Sequence, residues 1–221
     1  MPTKKQKGGQ FERTLCVQFS KWWTGGERED VFWRTSGSGN RATSRRRRGE
    51  AIVKYQCGDM TFIDDIGRPL IEKFNFEFKF YRHYELLSTL SPTLANHSWL
   101  HFWAECCYEA RTTERIPFLV TKQNRHIPIV WVPSTLHLEL LQHNLHFNPC
   151  MLISLVGQEV NTKKFGRFVT EDQKVVGFRL EQFFILVDPA MFGAECARSS
   201  TAEQTTLNRT HAGSNPAERQ D

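Results

Sequence analysis

The stretch that decides the reading of this chain is Phe74-Asn75-Phe76-Glu77-Phe78-Lys79-Phe80. Four phenylalanines alternate with three polar residues, the period of a β-strand whose successive side chains point to opposite faces. Phe74, Phe76, Phe78 and Phe80 share one face, and Asn75, Glu77 and Lys79 share the other. An ordinary half-buried strand accounts for that alternation by itself, because a Glu-x-Lys pair is common on solvated faces. Two further acids change the weighing. Asp59 opens another apolar run eighteen residues before Glu77, and Glu12 lies in a helical pattern near the N-terminus, close to an unusual density of cations. The question is whether Glu12, Asp59, Glu77 and Lys79 form one site.

The 221 residues are 39% hydrophobic and 12% aromatic, enough for one good core with material left over for tails. No apolar run approaches the roughly 18–20 residues that span a bilayer. Met1-Pro2-Thr3-Lys4-Lys5-Gln6-Lys7 is basic but lacks the apolar segment of a signal peptide, so the expected location is the cytoplasm of a bacterium or phage-infected host. Cys16, Cys57, Cys106, Cys107, Cys150 and Cys196 contain no Cys-x-x-Cys pair, which argues against structural zinc. The eight histidines form no tight ligand motif. Net charge is +5, but residues 1–49 hold twelve Lys/Arg against four Asp/Glu, a surplus of eight that leaves the remainder at −3. Such asymmetry is the electrostatic footprint of a nucleic-acid binder; the bland alternative is a solvated basic arm, which the Arg45-Arg46-Arg47-Arg48 run alone would be.

Along the chain, residues 1–8 read as a flexible basic arm. Phe11, Leu15, Phe19, Trp22 and Trp23 recur at helical spacing from about Gly9 to Trp23, and Gly25-Gly26 ends that helix. Glu12 lies at the border of its buried face, with Arg13 beside it. Asp30 to Thr35 is a short strand candidate. It runs into Ser36-Gly37-Ser38-Gly39-Asn40-Arg41-Ala42-Thr43, a loop whose backbone N–H groups can approach a phosphate closely but which lacks the P-loop pattern. No nucleotide cofactor is indicated.

Asp59 to Ile63 reads as one strand of a hairpin, Asp64-Asp65-Ile66-Gly67-Arg68-Pro69 as its turn, and Leu70 to Phe80 as its second strand. That pairing carries Asp59 to the Glu77–Lys79 end. Asp64 and Asp65 are alternative acids but sit in the expected turn, and His83 follows the second strand. Ser98 to Arg111 is helical, Ile116–Thr121 and Ile127–Val132 are β-rich, and Ser134–His143 is helical. Cys150–Val156 and Val175–Val187 suggest further strands. Trp22, Trp23, Trp99 and Trp103 have core spacing. From about Ala197 the chain is polar and reads as a disordered tail. Within it, Gly213-Ser214-Asn215-Pro216 is what one frame of a transfer-RNA T-arm encodes, as a reading frame running into an integration site would produce.

Phosphodiester cleavage requires an activated water, charge stabilisation on the phosphate and help for the leaving oxygen. Carboxylates hold Mg2+, a hard cation that retains several waters. The ion lowers the pKa of a bound water and neutralises phosphate charge. A lysine two residues from a ligand carboxylate, on the same strand face, can orient the water or stabilise the phosphorane. Asp59, Glu77 and Lys79 supply those parts, and Glu12 adds a ligand or water contact from its helix.

Asp59…Glu77-Phe78-Lys79 resembles the Asp…Glu-x-Lys signature of the PD-(D/E)xK nuclease superfamily. The N-terminal context is more specific. Lys7-Gly8-Gly9-Gln10-Phe11-Glu12-Arg13, followed by Arg34-Thr35-Ser36-Gly37-Ser38-Gly39, is similar to the Gly-x-x-x-Glu-Arg helix and Arg-x-x-x-Ser-Gly loop of archaeal-type Holliday junction resolvases. The resemblance covers about residues 7–85, and more loosely to about 132. It implies an α/β (α+β) fold, a central mixed β-sheet flanked by helices, with a restriction-endonuclease-like core over 9–132. A C-terminal α+β extension of the same domain follows over 133–196, then the tail over 197–221. It implies a Mg2+-dependent, phage-encoded endonuclease, with Mn2+ as substitute. Glu12, Asp59 and Glu77 become metal-site acids, Lys79 the catalytic lysine, Ser38 a phosphate or active-site loop residue, and Arg13 and Arg34 DNA contacts. The basic N-terminal charge, apart from the resemblance, adds Lys7, Arg41, Arg45 and Arg46 as expected contacts to branched or duplex DNA. Symmetric cutting of a junction favours a twofold homodimer. Three departures stand out: Gly58 where the superfamily name has proline, a long Asp59-to-Glu77 separation, and the arginine-rich insertion together with everything after about 133.

Overall fold

In the computed structural model, which describes residues 4–35, 48, 55, 57–86, 98–143, 149–157, 159–162 and 165–194, the chain opens with helix α1 (Lys4–Trp23). Strand β1 (Phe32–Arg34) pairs antiparallel with β2 (Met60–Phe62). A 3-10 turn (Asp65–Gly67) and helix α2 (Arg68–Lys73) lead directly into β3 (Phe74–Tyr81). Helix α3 (Trp99–Thr112) connects β3 to its parallel neighbour β4 (Ile116–Gln123). Strand β5 (Ile129–Pro133), helix α4 (Ser134–Gln142) and strand β6 (Met151–Leu155) follow. A ribbon of β7 (Glu159–Thr162) and β8 (Gly166–Val169), strand β9 (Gln173–Arg179) and helix α5 (Leu180–Leu186) complete the order.

The main sheet runs β3-β4-β5-β9-β6, parallel at β3/β4 and antiparallel elsewhere. This is a mixed five-stranded sheet flanked by helices, an α+β architecture of the restriction-endonuclease-like kind. Strands β6 and β9, from the region expected as an extension, belong to the same sheet as β3 to β5, so the sheet is continuous across residue 132.

The alternation in β3 buries both of its faces. Phe74, Phe76 and Phe78 pack under α1, with Phe19 at ring-centroid distances of 5.1 Å from Phe76 and 6.3 Å from Phe78. The polar face lies under α3, where the Asn75 side chain donates to Cys106 O and Cys106 Sγ donates to Asn75 O. Alternation along β4, β5 and β9 divides the core in the same way. Phe118, Val120, Val130, Val132, Val176 and Phe178 join the α1 side, while Leu119, Trp131 and Val175 join Trp99, Phe102 and Trp103 of α3. Trp23, Trp99 and Trp103 are buried and Trp22 packs against the core, as their spacing implies.

Three expectations are corrected. The Asp59–Phe80 hairpin does not form: β2 pairs with β1, and β3 pairs in parallel with β4. Asp64, read as turn chemistry, caps the 3-10 turn by accepting from Ile66 N–H, and Pro69 occupies the first turn of α2. The residue types that make turns also start helices, and here Leu70 and Ile71 are helical core residues. Secondly, α1 begins at Lys4, inside the segment expected as a flexible arm. Lys and Gln are good helix formers, and Gly9 is buried against the Arg34 guanidinium, which favours continuing the helix. Thirdly, Val175–Val187 divides into β9 and α5, because Phe183 and Leu180 bury on the α1 side only if the chain turns helical.

Arg115 locks the base of the site. It is 6% exposed and donates to the carbonyls of Cys57, Ile71 and Phe74 and to Asn75 Oδ1, at 2.7–3.2 Å. Replacing it with methionine removes all four of these hydrogen bonds. Arg115→Met is expected to lower stability by about 3 kcal/mol or more, read from urea denaturation; an unchanged midpoint would refute the assignment.

Candidate active site

Asp59 reaches β3 without being part of a strand. Its N–H donates to Phe76 O at 2.7 Å, and its Oδ2 accepts from Phe78 N–H at 2.8 Å. The preceding glycine permits that approach. Gly58 has φ +82°, and a Cβ there would stand 2.7 Å from Phe76 O. Its N–H donates to Glu109 Oε2 at 3.1 Å, and Asp59 O accepts from Thr35 N–H at 3.0 Å, so α3 and the end of β1 hold the turn from either side.

Glu77 and Lys79 leave the face of β3 that α3 covers. Lys79 Nζ lies 2.6 Å from Glu77 Oε1 and 3.3 Å from Glu105 Oε2. The other Glu105 oxygen stands 3.4 Å from Nε2 of His101, one turn earlier on α3. Phe102 presents its ring 5.6 Å from the ammonium. Glu77 is 3% exposed, so this cluster of charges is inside the protein, where charge persists only when paired. Glu12 approaches from α1 and pairs with Arg34, Oε2 to Nη2 at 2.7 Å.

The electrostatics follow from burial and from crowding of like charge. Burial, with Glu77 and Glu12 alongside, pushes the Asp59 carboxyl up to about 8. Burial raises Glu12 as well, against the opposing pull of Arg34. Burial draws the Lys79 ammonium down, but Glu77, Glu105 and Asp59 outweigh it and hold the group well above its ordinary value. The site therefore keeps its lysine charged and holds more acid than its cations neutralise.

A cleft of about 960 Å³ opens over Glu12, Asp59 and Lys79, and its exposed lining includes Lys7, Arg82, His83 and Arg125. It sits where the parallel strands β3 and β4 end, the position that open α/β sheets use for ligands. Arg125 adopts φ +66° in the β4–β5 turn, a left-handed conformation uncommon outside glycine and asparagine.

Asp59, Glu77 and Lys79 are thus brought together, and Lys7 lines the same cleft. Arg34 is engaged with Glu12, and Arg13 Nη2 donates to Gln10 Oε1 at 3.0 Å. Ser38, Arg41, Arg45 and Arg46 lie outside the described residues. Asp64 pairs with Arg28 and Asp65 with Arg68, and neither lines the cleft. The three acids do not converge into a carboxylate cage. Among the described residues no group of three or more His, Cys, Asp and Glu side chains is spaced to hold a metal ion. Glu77, buried, turns instead to Lys79; Glu12, partly buried, to Arg34; and Asp59 to the Phe78 N–H.

His101, Glu105, Arg82 and Arg125 were not singled out in the sequence. A signal for the first two existed. His101, Glu105 and Glu109 recur every four residues, a polar stripe within an otherwise apolar helix.

The chain matches, over residues 3–182, a family model described as "Phage putative PDDEXK endonuclease". It belongs to that family. The family's description points to a nuclease, and the match extends through β9 into α5, well beyond residue 132. No curated protein and no solved structure matches the chain. Among the described residues no helix is long and apolar enough to cross a membrane.

The Asp59 carboxyl has a measurable consequence. Held up to about 8 against an ordinary value of 3.8, it binds its proton more tightly in the folded chain than in the unfolded one. The stability it contributes is fully present below the ordinary value and is lost as pH rises through the folded one. In EDTA, Asp59→Asn should flatten this decline and exceed the wild-type Tm near pH 9 by about 3 °C or more. Parallel Tm curves for the two proteins from about pH 5 to 9 would rule it out.

Proposed function

We propose that the chain is a divalent-metal-dependent DNA endonuclease that hydrolyses phosphodiester bonds and selects branched substrates in the manner of Holliday junction resolvases. The observation that carries the hydrolase reading is the meeting of Asp59, Glu77 and Lys79 beside one cleft lined by exposed cations. The donor set fits Mg2+. Asp59, whose raised pKa means that a bound cation would displace its proton, and the neighbouring Glu77 offer two carboxyl groups, and Mg2+ is commonly held by one or two carboxylates together with substrate phosphates. Mn2+ would serve the same donors. Bound there, the ion supplies neutralisation of phosphate charge and a more acidic water.

The protein groups divide the remaining work. Lys79 keeps its proton and offers an ammonium to a non-bridging phosphate oxygen or to the attacking water. Glu12 adds negative potential that favours a cation at the neighbouring acids. Lys7, Arg82 and Arg125 hold flanking phosphates, the contacts that position DNA without reading its sequence. In this reading Arg13, Arg34, Ser38, Arg41, Arg45 and Arg46 extend that surface. Junction selectivity rests on Gly8-to-Arg13 and Arg34-to-Gly39, whose order and spacing resemble the resolvases, and paired cutting would call for a homodimer.

The test is cleavage of a labelled four-way junction and of its matching linear duplex, in Mg2+ and in EDTA. Wild type should place paired, Mg2+-dependent nicks in the junction only. Glu77→Ala and Lys79→Ala should lose at least about a hundredfold in rate. Equal cutting of both substrates would leave a duplex nuclease of the restriction or repair kind. Binding without cutting in any divalent metal would leave a DNA-binding protein on a nuclease fold.

A further inference from the structure

Lys79 stands between two carboxylates with different surroundings. Glu77 Oε1 is 2.6 Å away and belongs to the strand that also presents the Asp59 contact. Glu105 Oε2 is 3.3 Å away on α3, with its second oxygen 3.4 Å from His101 Nε2. Glu105, like Glu77, does not line the cleft, whereas Lys79 does. It is 9% exposed, and two partners account for both of its oxygens. A buried carboxylate in that position is costly unless its charge is used.

The first arrangement creates a conflict that the second resolves. On the reading proposed above, on which this inference rests, Glu77 serves a divalent cation. In the structure that same carboxylate is Lys79's nearest counter-ion. A lysine with no other partner would compete with the cation for Glu77, and on losing it would be stranded as a buried, unpaired ammonium. We propose that Glu105, oriented by His101, is a positioning residue that receives the Lys79 ammonium when Glu77 is taken by a divalent cation, so that cation and lysine occupy the site together. The ammonium remains charged in both arrangements, and only its counter-ion changes.

The proposal predicts coupling between residues 105 and 79 in metal affinity, a quantity independent of cleavage. Mn2+ binding to the full chain would be measured by calorimetry without DNA, for wild type, Glu105→Gln, Lys79→Met and the double variant. Circular dichroism would confirm that each is folded. Glu105→Gln preserves the shape and removes the charge, and should weaken Mn2+ binding roughly tenfold or more, the usual effect of losing an outer-shell partner. Lys79→Met should bind at least as tightly as wild type. In the Lys79→Met background, Glu105→Gln should have little further effect, because there is no ammonium left to receive.

An equal loss in both backgrounds would make Glu105 a metal ligand and overturn the proposal. No loss in either would make it a structural acid and overturn it too. If folded wild type binds no Mn2+, the metal-dependent reading itself fails and carries this inference down with it. That outcome is distinct from binding without coupling, which sinks the inference alone. Where coupling is found, junction cleavage by Glu105→Gln should fall in kcat with KM for DNA unchanged, because Glu105 does not reach the cleft.

Discussion

The clasp of Asp59 on the outer edge of β3 is the constraint from which the site follows. Strand β3 ends the five-stranded sheet, so the groups on its outer side need partners. Asp59 supplies two of them, its N–H to Phe76 O and its carboxylate to Phe78 N–H. An acid that completes a sheet edge cannot drift relative to the side chains that the sheet presents. Its offset from Glu77 and Lys79 is therefore set by backbone hydrogen bonding rather than by a loop. The clasp needs a residue without Cβ before it, and Gly58, with φ +82° and Phe76 O only 2.7 Å from where a Cβ would stand, meets that need. This also accounts for glycine at a position where the superfamily signature carries proline, since proline cannot adopt a positive φ.

The two faces of β3 perform different tasks with the same period. On the α1 side, Phe74, Phe76 and Phe78 join Phe19, Phe118 and Phe183 in an aromatic core that makes no demand on hydrogen bonding. On the α3 side, Asn75 and Glu77 are buried and Lys79 is partly buried, and each is answered: Asn75 by Arg115 and Cys106, Glu77 by Lys79, and Lys79 by Glu105 as well. The apolar face supplies the stability that tolerates a crowded charged face. Charged groups under a helix contribute little to stability at best, and removing one partner is far more damaging than replacing all of them. Such a face persists because of what it does rather than because of what it stabilises.

Much of this was legible in the sequence, and what was not has physical causes. Phe74 to Phe80 revealed a strand and its two faces because period two survives in any sheet. It could not reveal β4 as the parallel neighbour, because alternation records which side a residue takes and not which strand lies alongside. The hairpin expectation arose from Asp64, Gly67 and Pro69, whose residue types serve turns and helix starts equally; with α2 in that place, Asp59 still arrives at β3, by a different path. Glu12, Asp59, Glu77 and Lys79 were visible as residue types at familiar spacing. Glu105 and His101 were masked by the aromatic density of Trp99, Phe102 and Trp103, which makes α3 look like core throughout. Arg82 and Arg125 were invisible for another reason: neither belongs to a basic run, and only the shared end of β3 and β4 makes them neighbours.

That last point changes how the charge asymmetry should be understood. The surplus of eight lies in residues 1–49, while the rest of the chain is net −3, yet Arg82, His83 and Arg125 come from the nominally acidic part. The cationic lining is thus made by topology, with Lys7 of α1 meeting residues that follow two strand ends. Inside it, burial, with Glu77 and Glu12 alongside, holds Asp59 up to about 8. A polyanion approaching such a cleft is drawn by the lining and repelled by the interior, and the two effects act on different phosphates. Affinity for the flanking backbone is then set by the lining, whereas a phosphate at the centre faces the acids around Lys79. On the proposed reading, this separation lets the protein hold DNA before it is competent to cut, with excess carboxylate at the centre as the reason a divalent cation is required.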